Sequence, residues 1–332
     1  MTGLRNDLME GKGRIMPVFP KPKFPFEYDV AAEIERLRTH KQTRLIPGRE
    51  DGKLLVATWN IANFGAQQRR DRDRSLLAEI ISWFDITAIQ ECRENFGDLF
   101  DVRHKLPGSY RISMSDVAGN DERMVFVYDS EKLTGLEEIG EIAFPPSKYP
   151  TVRLPGIDEK FTGFDRTPYL ASFAAGHTSI LFVNVHLYYG DEQPKSVGRR
   201  ALETFAVAKW SDLRKKSPFS FTRELIVLGD FNMPKCAPGD LIFQALTRLG
   251  LEIPEHSSQI ASSISSDANY DQIAFLPETT QRCFTGRKGV FDYDTVIFPD
   301  LWQNGGNQKN FKAYLRYYLS DHRPMWIQLS VL

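Results

Sequence analysis

Three things are scarce in this chain of 332 residues: cysteine, excess charge of either sign, and long apolar runs. The three cysteines, Cys92, Cys236 and Cys283, are too few for the disulfide framework of a small secreted protein, and isolated thiols fit a reducing compartment. They read as small core or loop residues. Lys plus Arg number 42 against 43 Asp plus Glu, so the net charge of −1 supplies no global field toward nucleic acid or an anionic membrane. Any polyanion must therefore be held locally. The longest apolar runs, Ile180–Val183 and Leu225–Leu228, are far too short to span a bilayer, and Met1–Arg14 carries mixed charge without an apolar secretory core. These absences predict a cytoplasmic protein with no stable membrane association, and no obligate protein partner is inferred. No internal repeat is present.

What the chain does have is 42% hydrophobic residues, enough for a large core. Residues 1–53 differ from the remainder. Pro17, Pro20, Pro22 and Pro25 suggest an extended lead-in, and Tyr28–Lys41, with Ala31, Ile34 and Leu37, suggests one helix before the turns at Pro47-Gly48 and Asp51-Gly52. This extension is expected to pack on a main domain over 54–332, or to serve as a partner-binding arm. From Leu54 onward strands and helices alternate, which favours a layered α/β architecture. Strands are expected at Leu54–Trp59, Ile86–Ile89, Met124–Tyr128, Leu170–Phe173, Ile180–Val185, Leu225–Leu228, Gln272–Phe275 and Met325–Leu329, and helices at Ser75–Trp83, Gly198–Lys216 and near Asp240–Leu249. The Pro/Gly-rich span 144–168 and the polar span 303–312 read as long loops.

One event recurs along these strands: an apolar run ends and a titratable or metal-compatible residue follows. The clearest case is L-I-V-L-G-D-F-N-M at 225–233, where Asp230 and Asn232 stand two apart after Gly229. In extended chain their side chains point the same way, and a carboxylate beside a carboxamide can hold a divalent cation and donate to a phosphate oxygen. Asn60 follows the first strand, Glu91 the second, and His186 the strand at 180–185. Glu122 and Asp271 precede two others, and Ser320-Asp321-His322 precedes the last. Any one of these is ordinarily a turn former, a helix cap or a surface charge. Together they point to one crevice at the strand ends, where α/β folds place their sites.

The motifs W-N-I-A-N-F-G at 59–65, I-Q-E at 89–91, N-V-H at 184–186, G-D-F-N at 229–232 and S-D-H-R-P at 320–324 resemble, in this order, the endonuclease/exonuclease/phosphatase superfamily. The resemblance spans Leu54 to Leu332. Q-E-C-R at 90–93, D-E-R at 121–123 and Y-D-Q-I at 270–273 are most similar to pancreatic-type deoxyribonuclease. It implies an α/β (α+β) four-layer sandwich of two mixed β-sheets flanked by helices. It also implies roles: Glu91 as main metal carboxylate with Asn60, Asp230 and Asp321 nearby, Asn232 and Arg166 on the scissile phosphate, His322 paired with Asp271, His186 paired with Glu122, and Arg93 reaching toward the nucleic-acid groove. Ala62 stands where the pancreatic type carries an arginine, and Asn120 where it carries a groove-contacting tyrosine.

Phosphodiester hydrolysis needs water deprotonated on one side, an alkoxide protonated on the other, and charge relief on the non-bridging oxygens. Histidines oriented by carboxylates suit both proton tasks, His322 being read as base and His186 as acid, with the two directions exchangeable. Oxygen ligands favour Mg2+, with Ca2+ or Mn2+ as alternatives. The expected activity is thus a metal-dependent phosphodiesterase of the nuclease class, an endonuclease on DNA. Arg69, Arg70, Arg72 and Arg74, then Lys195, Arg199 and Arg200, then Arg287 and Lys288, are the candidate basic rim. His40, His104, His177 and His256 are expected to be structural or on the surface. Two alternatives remain: a phospholipid or phosphoinositide (di)esterase, disfavoured by the lack of a W-C-D-R stretch and of an exposed aromatic hairpin, and a catalytically silent binding protein, disfavoured by the intact titratable pairs.

Overall fold

The computed structural model describes residues 18–135, 137–255, 259–276, 280–302 and 307–331. His256, Pro17, Met1–Arg14 and the start of the span 303–312 lie outside them. In chain order the first elements are α1 (Val30–Thr43), β1 (Lys53–Phe64), α2 (Asp71–Ile81), β2 (Ile86–Arg93), α3 (Gly97–Lys105), β3 (Tyr110–Met114) and β4 (Glu122–Asp129). Next come β5 (Ile139–Glu141), β6 (Tyr169–Ala175), β7 (Thr178–His186), α4 (Pro194–Lys216), β8 (Leu225–Asp230), α5 (Leu241–Thr247) and β9 (Asp271–Phe275). The last are β10 (Phe284–Val290), α6 (Pro299–Trp302), α7 (Gln308–Tyr318) and β11 (Met325–Ser330).

Two mixed sheets result. One runs β10-β11-β1-β2-β4-β3 and the other β5-β6-β7-β8-β9. Within them β1/β2 and β7/β8 are parallel and the remaining pairs antiparallel. The near-continuous apolar runs of β1, β2, β7 and β8 are explained by burial on both faces. Val56, Ile86, Phe126, Phe182, Ile226 and Ile327 fill the space between the sheets. On the outer face of the six-stranded sheet, Leu76, Leu77 and Ile80 of α2 meet Trp59 and Phe64 together with Tyr314 and Leu315 of α7. Leu202, Phe205 and Ile242 of α4 and α5 cover the five-stranded sheet. Helix, sheet, sheet, helix: the four layers are those expected from sequence. No helix among the described residues is long and apolar enough to cross a membrane.

A polar bridge ties the sheets together beneath the strand ends. Gln90 Nε2 donates to Asn184 Oδ1 at 2.6 Å, Asn184 Nδ2 donates to the carbonyls of Ile89 and Val125, and Thr58 Oγ1 lies 3.1 Å from Gln90 Nε2. All three side chains are fully buried. Hydrogen bonds satisfied on both sides fix the relative register of the two sheets.

Several elements depart from the sequence reading. Helix α7 begins at Gln308, inside the span taken as a loop, because Asn307 caps it by accepting from Asn310 N, and Phe311, Tyr314, Leu315 and Tyr318 then repeat at helical spacing. Strands β3 and β10 were not foreseen. Both are edge strands, and the second, F-T-G-R-K-G-V, is exposed or half-buried up to Val290 and carries few apolar residues, so no apolar run announces it. The first helix spans Val30–Thr43, with Asp29 accepting from Ala31 N as its cap. Strand β1 continues past Trp59 to Phe64, and its register with β2 shifts between Asn60 and Phe64.

Candidate active site

The strand ends are where both sheets become irregular. In β2 the register with β4 shifts between Ile89 and Cys92, and Glu91 there adopts φ 61°. In β1 Asn63 adopts φ 48°. Asn120, Asp121 and Asn232 also lie in the left-handed region, at φ 63°, 55° and 51°. Non-glycine residues seldom do so, and bulges of this kind re-aim side chains. Gly229 in β8 is obligatory for a different reason: at φ 139°, a Cβ there would come 2.1 Å from the carbonyl oxygen of Val185. The close approach of β7 and β8 sets His186 beside Asp230, and Asp230 in turn pairs in register with Asp271 of β9.

Eleven sequence-predicted residues therefore gather at one end of the sandwich. Glu91, Arg166, His186, Asp230, Asn232, Asp321 and His322 line a cleft of about 920 Å3, with Asn60, Glu122, Asp271 and Arg93 buried near them. Asn60 Nδ2 donates to Glu91 Oε1 and to Asp230 Oδ2, both at 3.0 Å. The other Glu91 oxygen accepts from Asn63 N at 2.8 Å. Asp230 Oδ2 lies between the two imidazoles, 3.8 Å from His186 Nε2 and 4.0 Å from His322 Nδ1. His322 Nδ1 is 2.7 Å from Asp271 Oδ2, and His186 Nδ1 is 3.0 Å from Glu122 Oε2. Arg166 donates through Nε to Glu122 and through Nη1 to Asp165, each at 2.8 Å, and its Nη2 is 3.2 Å from His186 Nε2. A guanidinium can only donate, so that imidazole nitrogen is the acceptor and the ring proton sits on Nδ1, facing Glu122.

The Ser320-Asp321-His322 loop is fixed from several sides. Ser320 Oγ donates to the Asn60 carbonyl at 2.6 Å and accepts from His322 N, Trp59 Nε1 donates to the His322 carbonyl, and Tyr293 OH donates to the Ser320 carbonyl. Asp321 projects into the cleft, 3.2 Å from Arg316 Nε. Asn232 N donates to Asp230 Oδ1 at 2.7 Å, and its carboxamide donates to the Leu187 carbonyl.

Burial strains the charges here. Burial and the neighbouring Glu122 push the Glu91 carboxyl up. Glu122 is also deeply buried, yet His186 and Arg166 overcome that cost and hold it at about 2. Burial works against a charged His322, but Asp271, Asp230 and Asp321 raise it well above the usual histidine range. Asp230 is held low, despite burial, by the two histidines.

A hard divalent cation fits the Glu91 corner. Asn60 Oδ1 is buried with no hydrogen-bond partner, while its Nδ2 faces the Glu91 and Asp230 carboxylates, so turning the carboxamide over would bring three oxygen donors together. Asp230, Asp271 and His322 form a second grouping, with ligand atoms within 4.8 Å of one another. There His322 Nδ1 and Asp271 Oδ2 are already committed to each other, and although Asp271 Oδ1, like Asn60 Oδ1, is buried without a hydrogen-bond partner, only the Glu91 corner is built from oxygen donors alone. The Glu91 corner is therefore the better cation site, with Asp230 shared between the two groupings.

Apart from Arg199, which lines the cleft, the expected basic rim behaves otherwise. Arg69 is buried and donates to the carbonyls of Ala62, Asn63 and Leu319, and Arg70 pairs with Asp73 and Tyr314. Arg72 pairs with Glu27 and Arg74 with Asp98. Arg200, also buried, holds the carbonyls of Asn232, Tyr189 and Asp191. Arg93 turns inward onto Asn63 Oδ1, the Asn120 carbonyl and Glu122 rather than toward the cleft. Lys195 is exposed, and Arg287 and Lys288 lie on the edge strand β10; none of the three lines the cleft. These arginines clamp loops because each ends beside carbonyls or acids of a neighbouring turn. His40 is structural, with Nε2 2.7 Å from Asp292, and His104 and His177 are exposed.

Sequence reasoning missed Glu203. It is fully buried on α4 and accepts from Asp165 N and Tyr188 N, both at 3.1 Å, with Arg199 Nε 3.3 Å away. Burial raises its carboxyl to about 7. The available signal was a glutamate on the apolar face of an amphipathic helix, one turn after Arg199.

No family model matches the chain, and no curated protein matches it in sequence. Solved structures share its fold. An endonuclease/exonuclease/phosphatase family protein of Bacteroides thetaiotaomicron superposes with a TM-score of 0.52 at 18% identity, covering 83% of this chain and 94% of that one. A mannosyl-6-phosphatase of the same organism gives 0.51 at 16%, covering 83% and 99%. TDP2 of D. rerio, complexed with single-strand DNA product, gives 0.54 at 15%, covering 84% and 99%. At these identities the likeness shows a common fold, that of endonuclease/exonuclease/phosphatase proteins, and no particular closeness to pancreatic-type deoxyribonuclease.

Proposed function

We propose that the chain is a divalent-metal-dependent phosphodiesterase acting on nucleic acid, with residues 54–332 as its catalytic unit. One observation carries this reading: two histidine-carboxylate pairs, His186 with Glu122 and His322 with Asp271, flank Asp230 at 3.8 and 4.0 Å. An in-line displacement needs a proton acceptor on the water side and a donor on the leaving side, and two imidazoles across one carboxylate meet that need. Glu91, Asn60 and Asp230 would hold a cation, Mg2+ being preferred by the oxygen donors, with Asp321 available at the cleft wall. When bound, it would neutralise charge developing on the non-bridging oxygens.

In this reading His322, oriented by Asp271 at Nδ1, takes the proton from water in its neutral form, so a cation held beside Asp230 would have to offset the carboxylates that raise it in this structure. His186 gives one to the leaving oxygen. Arg166 donates to His186 Nε2 in the resting arrangement, so that contact must yield to substrate before Nε2 can carry a proton. The Asn232 carboxamide, placed by the Asp230 and Leu187 hydrogen bonds, contributes a donor toward the phosphate.

The test uses leaving groups. His186→Ala and His322→Ala should each lower turnover of an oligonucleotide roughly a hundredfold. With an activated p-nitrophenyl diester, only His322→Ala should remain severely impaired, because p-nitrophenolate leaves without protonation. Wild-type rates from both variants would refute the site, and impairment of His186→Ala alone on the activated ester would exchange the two roles. Mannose 6-phosphate in place of the diester tests the monoesterase alternative, which the mannosyl-6-phosphatase neighbour makes the natural control.

A further inference from the structure

The N-terminal segment reaches the cleft. Residues 18–28 run extended with alternating exposure: Phe19, Phe24, Phe26 and Tyr28 are partly buried, and Val18, Lys21, Lys23 and Glu27 face outward. Phe26 packs edge-on against Tyr314 of α7 at 5.1 Å and against Phe298 at 5.5 Å, and Tyr28 OH donates to Asp73 at 2.8 Å. Anchored in this way, the segment lays the Phe19 ring over the Arg316 guanidinium at 4.6 Å, and both side chains line the cleft with Glu91, Asp230 and His322. Arg316 is the residue paired with Asp321.

Three further aromatic rings line the same cleft: Tyr188, which is covered by the Arg199 guanidinium at 4.0 Å, Tyr189 and Tyr270. Tyr270 lies 5.9 Å from the His322 ring and 6.3 Å from Tyr189, which meets it edge-on. Tyr189 and Tyr270 are partly exposed. The cations of the cleft, by contrast, are engaged within the protein: Arg166 with Glu122 and Asp165, Arg199 with Asp165 and Glu203, Arg316 with Asp321. The arginines of the Arg69–Arg74 stretch are engaged as well. A cleft of this kind offers flat apolar faces and little uncommitted positive charge for tracking a duplex backbone.

Resting on the phosphodiesterase reading and deepening it, we propose that Phe19 is a specificity residue of the substrate cleft. With Tyr189 and Tyr270 it selects single-stranded nucleic acid, whose unstacked bases present the faces that these rings can stack. In a duplex those faces are hidden and recognition falls to the backbone.

Fluorescence anisotropy with Mg2+ and a phosphorothioate oligothymidylate, which resists hydrolysis, tests this on the full chain. Wild type should bind the single strand at least tenfold more tightly than the same length of duplex. Phe19→Ala and Tyr189→Ala should each weaken single-strand binding roughly tenfold, the scale of one base-aromatic stack. Phe19→Trp should restore it, and an unchanged melting temperature would show that each variant folds. Equal affinity for duplex and single strand, wild-type affinity in Phe19→Ala, or failure of Phe19→Trp to rescue would each overturn the proposal. Because binding is read without turnover, selective binding together with a missing hydrolytic activity would count against the phosphodiesterase reading and leave the aromatic cleft standing.

Discussion

At the scale of single residues, the polar and titratable side chains that the strand-end pattern marked are brought together at one cleft. Asn60, Glu91, His186, Asp230 and His322 were legible because each follows or precedes an apolar run, and the bulges and left-handed conformations at Glu91 and Asn232 show how that position is used. Glu203 was not legible, since its partners, Asp165 N and Tyr188 N, lie on loops 38 and 15 positions away. Its protonation has a consequence for stability. Burial raises the folded carboxyl from 4.5 to about 7, so its contribution is fully present below 4.5 and is lost as pH rises toward 7. Glu203→Gln removes this dependence. The stability of the glutamine variant relative to wild type, from urea unfolding, should therefore improve steadily across that interval. A constant difference would mean that the carboxyl does not titrate there.

At the scale of elements, legibility followed amphipathicity. Helices α2 and α4 were foreseen because their apolar residues repeat within long windows, whereas α7 was hidden by the polar residues that lead into it. Edge strands β3 and β10 escaped for lack of a two-sided apolar pattern. Helix α1 was foreseen, but its attachment was not: His40 and Arg44 on its last turns both grip Asp292, at 2.7 Å for His40 Nε2 and 2.6 Å for Arg44 Nε. Asp292 and His40 are buried, and Arg44 is partly exposed, which screens its share. Asp292→Ala leaves His40 and Arg44 without their acceptor and should cost roughly 3 kcal/mol. An unfolding midpoint matching wild type in urea would show that α1 is held by its apolar face alone.

At the scale of the whole molecule, two sheets meet so that strand ends more than two hundred positions apart share one cleft. The layer count was implied by the motifs, whereas the strand order and the Thr58-Gln90-Asn184 bridge that sets the sheets against each other exist only in three dimensions. The same is true of the arginines: their sequence clusters resembled a basic rim, and folding turned most of them inward onto carbonyls and acids. The central claim is that the convergence holds a cation for phosphodiester cleavage. Cleavage of a single-stranded oligonucleotide should be measured against Mg2+ concentration for wild type and Glu91→Gln. The account predicts no cleavage in chelator and a Glu91→Gln midpoint displaced to at least roughly tenfold higher Mg2+, as expected for loss of one carboxylate ligand. Undiminished cleavage in chelator, or superimposable curves for the two proteins, would contradict it.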